Sequence, residues 1–212
     1  MYSQPPFTHG TENTGKTMRI ISGRLGGRRI KTVEGEGYRP AMGKTRESLF
    51  SMLTSRGVVW EGARVLDLFA GSGQLAIEAL SRGASRAVLC DSSHDACKII
   101  SKNLEKTHLS AASEVICRDY ARALKKLAGE KFDIVFLDPP YKLRLIDGVL
   151  ARLAQAESVS DGGIIVCEDE RPEPYRADGY TVIKHGHYGR IYITVLKKED
   201  NGGDTRDGNG EL

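Results

Sequence analysis

Two short motifs in this sequence combine residues that could bind a ligand and perform chemistry on it. The first is DLFAGSG (residues 67–73), in which an acid precedes two glycines. The second is DPPY (residues 138–141), in which an acid and an aromatic ring flank two prolines. Glycine lets the backbone approach a ligand closely, and proline fixes the backbone that presents its neighbours. Both motifs follow apolar runs, so each predicts a ligand-binding loop at the end of a buried strand.

The glycine motif has two interpretations. Gly71, Gly73 and Ala76 match the pattern G-x-G-x-x-G/A, and Asp91 follows Gly71 by 20 residues. This spacing is typical of a dinucleotide-binding loop and would indicate a nicotinamide- or flavin-dependent oxidoreductase.

The charge of Asp67 favours a different cofactor. The strand pleat predicts that this carboxylate lies on the same face as Phe69 and points at the loop, where it would repel the pyrophosphate of a dinucleotide. S-adenosylmethionine instead carries an ammonium and a sulfonium there, which an acid attracts. We therefore predict that Asp67, Phe69, Gly71 and Gly73 bind S-adenosylmethionine.

Two further acids follow the next two predicted strands. Asp91 could accept hydrogen bonds from the ribose hydroxyls of the cofactor, and Asp119 could reach its adenine amine. The residues that follow them complete the predicted cofactor-binding set, namely Ser92 and Tyr120. For both acids the alternative is a structural role, since Asp119 also precedes a helix and could cap it.

The proline motif suits a planar ring that bears an amino group. Pro139 and Pro140 hold the Asp138 carboxylate and the Pro139 carbonyl as two neighbouring acceptors, and Tyr141 can stack on the ring. The two acceptors would bind the N–H bonds of an exocyclic amine and favour its attack on the methyl group of the cofactor. A base within structured RNA would have to be flipped out to reach them. The alternative is a proline-rich strand end with a capping acid.

Alternating strands and helices are predicted to position these motifs. Nearly continuous apolar runs predict buried parallel strands, and the last two runs predict an antiparallel hairpin. The pattern indicates a doubly wound α/β fold, in which ligands bind at the carboxyl ends of the strands. The predicted strands are 64–69, 86–90, 114–117, 132–137, 163–168, 180–184 and 191–197, and the predicted helices are 44–56, 74–82, 95–107, 121–128 and 143–156. A further hairpin is predicted around Gly26-Gly27, between 19–22 and 28–33.

Positive charge is concentrated near the N-terminus. The net charge of the 212 residues is only +3, yet the segment from Lys16 to Arg46 has nine basic and two acidic residues. The segment from Glu199 to Leu212 has five acids and one arginine, which conceals this excess. A basic segment indicates a polyphosphate partner such as RNA, although a solvated face without a partner is the alternative. The predicted nucleic-acid contacts are Arg19, Arg24, Arg28, Arg29, Arg39, Lys44 and Arg46.

Composition limits the other classes of protein. No apolar run approaches the roughly 18 residues of a membrane span. The four cysteines lack metal-ligand or disulfide spacing, so we expect no metal, and without a secretory signal the expected compartment is the cytoplasm. The predicted organisation is a disordered leader (1–17), a basic RNA-binding extension (18–56), a catalytic domain (57–198) and a disordered acidic tail (199–212).

Several segments together resemble the RsmD family of bacterial 16S rRNA methyltransferases. They are MRIISG (18–23), GR (27–28), RP (39–40), TRESLF (45–50), VLDLFAGSG (65–73), IEALSRGA (77–84) and FLDPPY (136–141). The resemblance implies a Rossmann-like class I methyltransferase with a mostly parallel seven-stranded sheet and a small N-terminal hairpin and helix. It also implies transfer of a methyl group from S-adenosylmethionine to the N2 amine of a guanine in small-subunit rRNA.

Three alternatives remain open. The same acceptors would serve an adenine-N6 or cytosine-N4 methyltransferase that acts on RNA or DNA. The chain could be a non-catalytic RNA-binding factor in ribosome assembly, although the intact DPPY motif argues against this. The oxidoreductase is the third. The sequence also leaves open which nucleotide is modified and what the oligomeric state is. It does not indicate whether the substrate is naked rRNA or an assembling 30S particle.

Overall fold

The computed structural model describes residues 16–33, 40–140 and 143–200. Most of the predicted leader and tail lie outside these ranges. The strands and helices, in chain order, are β1 (Thr17–Arg19), β2 (Arg29–Lys31), α1 (Pro40–Ser55), β3 (Arg64–Asp67), α2 (Gln74–Ser81), β4 (Arg86–Asp91), α3 (His94–Thr107), β5 (Ser113–Cys117), α4 (Tyr120–Lys126), β6 (Phe132–Leu137), α5 (Ile146–Gln155), β7 (Val159–Asp169), β8 (Tyr180–Tyr188) and β9 (Ile191–Lys198).

Seven strands form one sheet in the order β5-β4-β3-β6-β7-β9-β8. The strands from β5 to β7 are parallel, whereas β9 is antiparallel to both β7 and β8. This arrangement confirms the predicted α/β fold with its antiparallel C-terminal hairpin. The order of the strands reverses between β3 and β6, and in such sheets the ligand crevice opens at this point.

Helices cover both faces of the sheet. Phe50 of α1 packs against Phe136 of β6 with ring centroids 6.0 Å apart, in a cluster that also contains residues of α2 and α3. On the other face, α4 and α5 pack against Leu66, Leu137 and Cys167. We call these the α1 face and the α5 face. Because both faces are covered, the parallel strands are mostly apolar. Within the described ranges, no helix combines the length and the apolar character that crossing a bilayer requires.

The N-terminal hairpin turns at Gly26-Gly27, as predicted, and also in a further turn just before these residues. The Arg28 N–H donates to the Leu25 carbonyl at 3.1 Å, and the Gly26 N–H donates to the Gly23 carbonyl at 3.0 Å. Gly23 has a φ of +78°, and a Cβ there would lie 1.9 Å from the Ser81 carbonyl oxygen. The earlier turn therefore forms where only glycine can approach the end of α2. Thr17 already belongs to β1, one residue before the predicted start of the ordered chain.

Buried polar side chains attach this hairpin to α2 and α3. The Glu78 carboxylate accepts hydrogen bonds from the backbone N–H of Ile21 at 2.7 Å and of Ser22 at 3.0 Å. The Asn103 side chain pairs with both backbone groups of Lys31 and also donates to the Ser72 carbonyl. Since Ser72 belongs to the glycine motif, Asn103 connects the basic hairpin directly to the predicted cofactor loop. The extension and the sheet share one core.

Replacing Glu78 should therefore detach the hairpin. Glu78→Ala leaves two backbone N–H groups without their acceptor and removes the partner of Arg82. We expect a loss of about 2–3 kcal/mol in the free energy of unfolding, measured with denaturant. Hydrogen exchange should accelerate at residues 20–25. Glu105→Ala, on the exposed side of α3, is the control and should change stability by less than about 0.5 kcal/mol. A similarly small loss in Glu78→Ala would contradict this role.

Candidate active site

Four acids lie at the carboxyl ends of adjacent parallel strands. Asp67 ends β3 and Asp91 ends β4, while Asp138 follows β6 directly and Glu168 lies near the end of β7. The register pairs Asp67 with Phe136, two residues before Asp138, and pairs Leu137 with Cys167, the residues before Asp138 and Glu168. Asp67, Asp138 and Glu168 are close enough to act on one another electrostatically. Sequence reasoning had selected three of these acids and missed Glu168. The signal that could have identified Glu168 is the one that identified the other acids, namely an acid directly after an apolar run.

The loop from Leu68 to Gly73 joins β3 to α2. Gly71 and Gly73 have φ angles of +53° and +81°, a left-handed conformation that favours glycine. A Cβ on Gly73 would lie 3.0 Å from the Leu89 side chain. The two glycines are thus required for the loop conformation, which aims the backbone N–H groups of α2 toward the strand ends.

Asp67 is the most buried of the four acids, with 1% of its surface exposed. Burial and the nearby Asp138 raise its pKa to about 8, although the backbone N–H groups of Phe69 and Ala76 act to lower it. Within the described residues, its Oδ1 atom has no hydrogen-bond partner. A buried carboxylate oxygen without a hydrogen-bond partner is suited to bind a cationic ligand group.

The expected common face of Asp67 and Phe69 is wrong. The strand ends at Asp67, so the pleat does not continue through the next two residues. Phe69 instead packs with the α5-face cluster, where its ring lies 5.9 Å from that of Tyr120. Both rings are half-buried and lie beside the ends of β3 and β5. They can offer a planar ligand an apolar wall.

Asp91 holds the cofactor loop as well as facing it. Its carboxylate accepts the Gly71 N–H at 2.9 Å and the Ser93 N–H at 2.8 Å. The side chain is half-buried, and the neighbouring Ser92 is exposed. A carboxylate has about four lone-pair positions, so these two bonds leave capacity for ligand hydroxyls.

Asp119 has the capping role that was its alternative interpretation. Its carboxylate accepts the Arg122 N–H at 3.0 Å as the N-cap of α4, and it also pairs with the Arg122 side chain at 3.4 Å. Asp119 is exposed and lies at the end of β5, two strands from Asp67. The capping role alone explains why Asp119 is present, without a contact between Asp119 and adenine.

The proline motif lies where it was expected, beside the glycine loop. Asp138 is half-buried, Pro139 is buried and Pro140 is exposed. The Pro140 carbonyl accepts the Leu143 N–H at 3.0 Å, which closes a turn after β6. Tyr141 lies outside the described residues, so its predicted stacking stays a prediction.

Arg46 differs from its predicted role as an RNA contact. Only 7% of the residue is exposed, and its guanidinium donates to Gln74 Oε1 at 2.6 Å and to the Arg19 carbonyl at 2.8 Å. It also acts electrostatically on Glu168. The prediction of a surface contact is therefore wrong for Arg46, since this side chain turns inward to join α1, the hairpin and the start of α2.

The other basic residues lie at the surface. Arg19, Arg24, Arg28, Arg29 and Lys44 are exposed, as are Lys16 and Lys31, which sequence reasoning had not selected. The Arg24 N–H bonds to the carbonyl of Ser81 at the far end of α2, about 12 Å from the glycine loop along the helix. Arg39 lies outside the described residues. The described part of the basic segment thus presents a solvated face, which runs from α2 to the start of α1.

A cleft of about 440 Å³ lies at the opposite edge of the sheet. Its lining includes Val58, Gly62, Asp133 and Gly163, and none of the predicted site residues. Because ligands of this fold bind at the carboxyl ends of the strands, we assign this cleft no part in catalysis. Across the described ranges, no group of three or more His, Cys, Asp and Glu side chains is arranged to hold a metal ion.

Comparison with known proteins identifies relatives across most of the chain. A family model described as "Conserved hypothetical protein 95" matches residues 18–197. Ribosomal RNA small subunit methyltransferase D of Haemophilus influenzae is 31% identical over 184 residues, which are 85% of this chain and 94% of that protein. YlbH of Bacillus subtilis, provisionally named an rRNA methyltransferase, is 36% identical over 85% of this chain and 99% of its own length.

Solved structures agree with this assignment. The Escherichia coli protein yhhF, provisionally described as a methyltransferase, superposes with a TM-score of 0.76 at 29% identity and covers 87% of this chain and 99% of its own. The segments that resemble this family in the sequence, from MRIISG (18–23) to FLDPPY (136–141), all lie within the matched residues. The chain belongs to the RsmD family.

Proposed function

We propose that this protein transfers a methyl group from S-adenosylmethionine to the N2 amine of a guanine in small-subunit rRNA. The observation that carries the proposal is the adjacency of two half-sites at the switch point of the sheet. The glycine loop with the buried Asp67 suits a cationic cofactor, and the Asp138-Pro139 turn on the next strand suits an exocyclic amine. Relatives named small subunit methyltransferase D support the choice of substrate.

The residues present fit S-adenosylmethionine better than a dinucleotide. Asp67, Asp138 and Glu168 bring three carboxyl groups together, and the Arg46 guanidinium acts on Glu168 in the opposite direction to the other acids. Ionising these carboxyl groups beside one another is unfavourable, so a pyrophosphate would add to the repulsion, whereas an ammonium would stabilise their ionised forms. Asp67 would hold the ammonium, Asp91 the ribose hydroxyls, and Phe69 with Tyr120 the adenine. When bound, the cofactor supplies an electrophilic methyl group on a positively charged sulfur.

The substrate half of the site orients the amine. The exocyclic nitrogen of guanine is a weak nucleophile because its lone pair is delocalised into the ring. Hydrogen bonds to the Asp138 carboxylate and the Pro139 carbonyl hold both N–H bonds and direct the lone pair toward the methyl group. Most of the rate gain then comes from positioning. The amine loses one proton after transfer, and Asp138 or water can accept it.

The basic face is the RNA-binding surface in this proposal. Arg19, Arg28, Arg29 and Lys44 are exposed on elements that contact the glycine loop through Arg46 and Asn103. Phosphate contacts from such a face would bring the RNA to the catalytic edge of the sheet. The target base would then have to be unstacked to reach Asp138.

The proposal is tested by incubating the protein with labelled S-adenosylmethionine and small subunits, naked rRNA or genomic DNA, and then mapping the labelled base. We expect label on the N2 position of one guanine in small-subunit rRNA. Label on adenine, on cytosine or on DNA would refute the choice of substrate. Binding of NAD in place of S-adenosylmethionine would refute the enzyme class.

Charge reversal on the basic face should weaken RNA binding without affecting the cofactor. For Arg28→Glu combined with Arg29→Glu, we expect the KM for the RNA substrate to rise about 10-fold or more at low salt, because at least two phosphate contacts are lost. The difference should shrink as salt increases. Lys125→Glu with Arg152→Glu, exposed on α4 and α5 on the other face of the sheet, is the control. Equal effects of the two pairs of substitutions would show that RNA binding depends on the net charge of the protein and not on the basic face.

A further inference from the structure

The acid at the end of β7 has no part in the function proposed so far. Glu168 follows Cys167, which is aligned with Leu137 in the parallel pair of β6 and β7. Asp138 and Glu168 directly follow this aligned pair, and the charge of Asp138 acts on Glu168, so the two acids lie near one another. Neighbouring strands are about 4.8 Å apart, so acids on two such strands can reach two neighbouring groups on the edge of one purine.

Glu168 lies on the α1 face of the sheet. Phe136 and Val166 belong to the α1-face cluster, while Leu137 and Cys167 belong to the α5-face cluster. Alternation along β7 therefore places Glu168 on the α1 face. The charges of Asp138 and Asp67 both act on Glu168, so these acids lie near it. The order across the sheet is Asp67, Asp138 and Glu168. Glu168 thus lies on the side of Asp138 that faces away from the cofactor loop, where the body of a base bound by its amine must extend.

The surroundings of Glu168 keep its carboxyl group available. Burial, then Asp138 and Asp67, raise the pKa of Glu168 well above its usual value, and Arg46 opposes this increase. The described residues act on it through these charges. The residue is half-buried, so part of its surface is accessible. A half-buried acid among other acids is costly unless a donor arrives with the substrate.

Guanine brings such a donor. Its N1–H group lies next to the N2 amine on the Watson–Crick edge, whereas adenine N1 and cytosine N3 are acceptors beside their amines. Proteins recognise unstacked bases by hydrogen bonds to this edge. The ionised carboxylate of Glu168 would accept from guanine and oppose the lone pair of adenine or cytosine. Because the pKa of Glu168 is raised, binding of guanine must release the proton that the free acid holds.

We propose that Glu168 is the base-selecting residue of this enzyme and accepts the N1–H of the target guanine while Asp138 and the Pro139 carbonyl hold its amine. This inference rests on the proposed guanine-N2 activity and extends it to the choice of base. It also assigns Arg46 a positioning role, since its guanidinium faces Glu168 from α1.

The test compares two bases at the mapped position of reconstituted small subunits. 2-Aminopurine keeps the exocyclic amine of guanine but has no hydrogen on N1. For Glu168→Ala we expect kcat/KM to fall about 10²-fold on guanine and less than about 3-fold on 2-aminopurine, because only the first substrate loses a hydrogen bond. The wild-type enzyme should discriminate between the two bases, and Glu168→Ala should not.

Two further variants keep the result interpretable. Glu168→Gln retains an acceptor oxygen and the side-chain volume, so it should fold and keep a measurable preference for guanine. Glu170→Ala removes an exposed acid two residues away and should behave as wild type. Affinity for S-adenosylmethionine, measured by calorimetry, should stay within about 3-fold in each variant.

The outcomes separate the two proposals. Equal losses of Glu168→Ala on guanine and on 2-aminopurine would show that Glu168 only supports Arg46 and the fold, and this would overturn the inference while leaving guanine methylation intact. If Glu168→Ala does not fold, an undiminished preference for guanine in Glu168→Gln together with unchanged kcat/KM would also overturn it. A mapped adenine or cytosine would instead refute the proposed function, and the base-selecting role with it.

Discussion

Asp138→Ala is expected to retain S-adenosylmethionine binding and to lose about 10³-fold in kcat. The carboxylate lies at the end of β6, in a turn fixed by two prolines and beside the buried Asp67. Its proposed contact with the exocyclic amine orients the nucleophile and stabilises the positive charge that develops on the nitrogen. Groups that do both typically contribute 10²–10⁴-fold to the rate.

The two halves of the site should respond differently to this change. Removing Asp138 takes one like charge away from Asp67, so the affinity for the cofactor should change by no more than about 3-fold. Single-turnover assays with saturating RNA measure the chemical step, and calorimetry measures cofactor binding. Asp138→Asn, which keeps an acceptor oxygen but no charge, should be less impaired than Asp138→Ala.

Asp147→Asn is a matched control, because Asp147 is an exposed acid of α5 whose side chain is 69% accessible. Its activity should be within about 2-fold of wild type. If Asp138→Ala turned over as fast as this control, the carboxylate would have no role in transfer. If it lost cofactor binding as well, Asp138 would belong to the cofactor half of the site.

The sheet could be predicted because both of its faces are buried. FDIVFL predicted β6 with the bounds that the structure shows, since an apolar run of six residues has no other stable place in this fold. Strand ends were less predictable. β3 stops at Asp67 because the glycine loop begins there, and α1 starts at Pro40, whose fixed φ suits the first turn of a helix.

The site was predictable where one segment contained all of its chemistry. Asp67 and Asp138 each follow an apolar run, so the rule that ligands bind at the carboxyl ends of strands was sufficient to select them. Glu168 satisfies the same rule but stands in an acidic run, where an acid resembles ordinary loop composition. Its importance depends on the alignment of β6 with β7, which sequence spacing does not show.

Arg46 and Glu78 could not be assigned from the sequence for a different reason. Charge counting reports how many basic residues a segment has, but not which of them turn inward. Arg46 is buried because Gln74 and the Arg19 carbonyl lie within hydrogen-bond distance only after the hairpin has folded against α2. Glu78 lies in a helix whose other residues are mostly apolar, and its partners are backbone groups 56 and 57 residues away.

Asp67→Asn is expected to abolish measurable binding of S-adenosylmethionine and to stabilise the unliganded protein. The pKa of Asp67 is raised to about 8, against 3.8 for an unperturbed carboxyl group, so folding favours its protonated form. The stability of the unliganded protein therefore falls as pH rises from 4 to 8. An amide has no such cost, and we expect a gain of about 2 kcal/mol at pH 7.5, measured by thermal unfolding.

The same shift makes cofactor binding depend on pH. Below pH 8 Asp67 holds a proton in the unliganded protein, whereas a bound ammonium requires its ionised form, so binding must release a proton. Between pH 6 and 7 the affinity of the wild-type protein should therefore increase about 10-fold. Calorimetry in buffers of different ionisation enthalpy should detect the released proton. Asp95→Asn, an exposed acid of α3, should show the same dependence as wild type. An affinity independent of pH, without proton release, would mean that Asp67 does not face the ammonium.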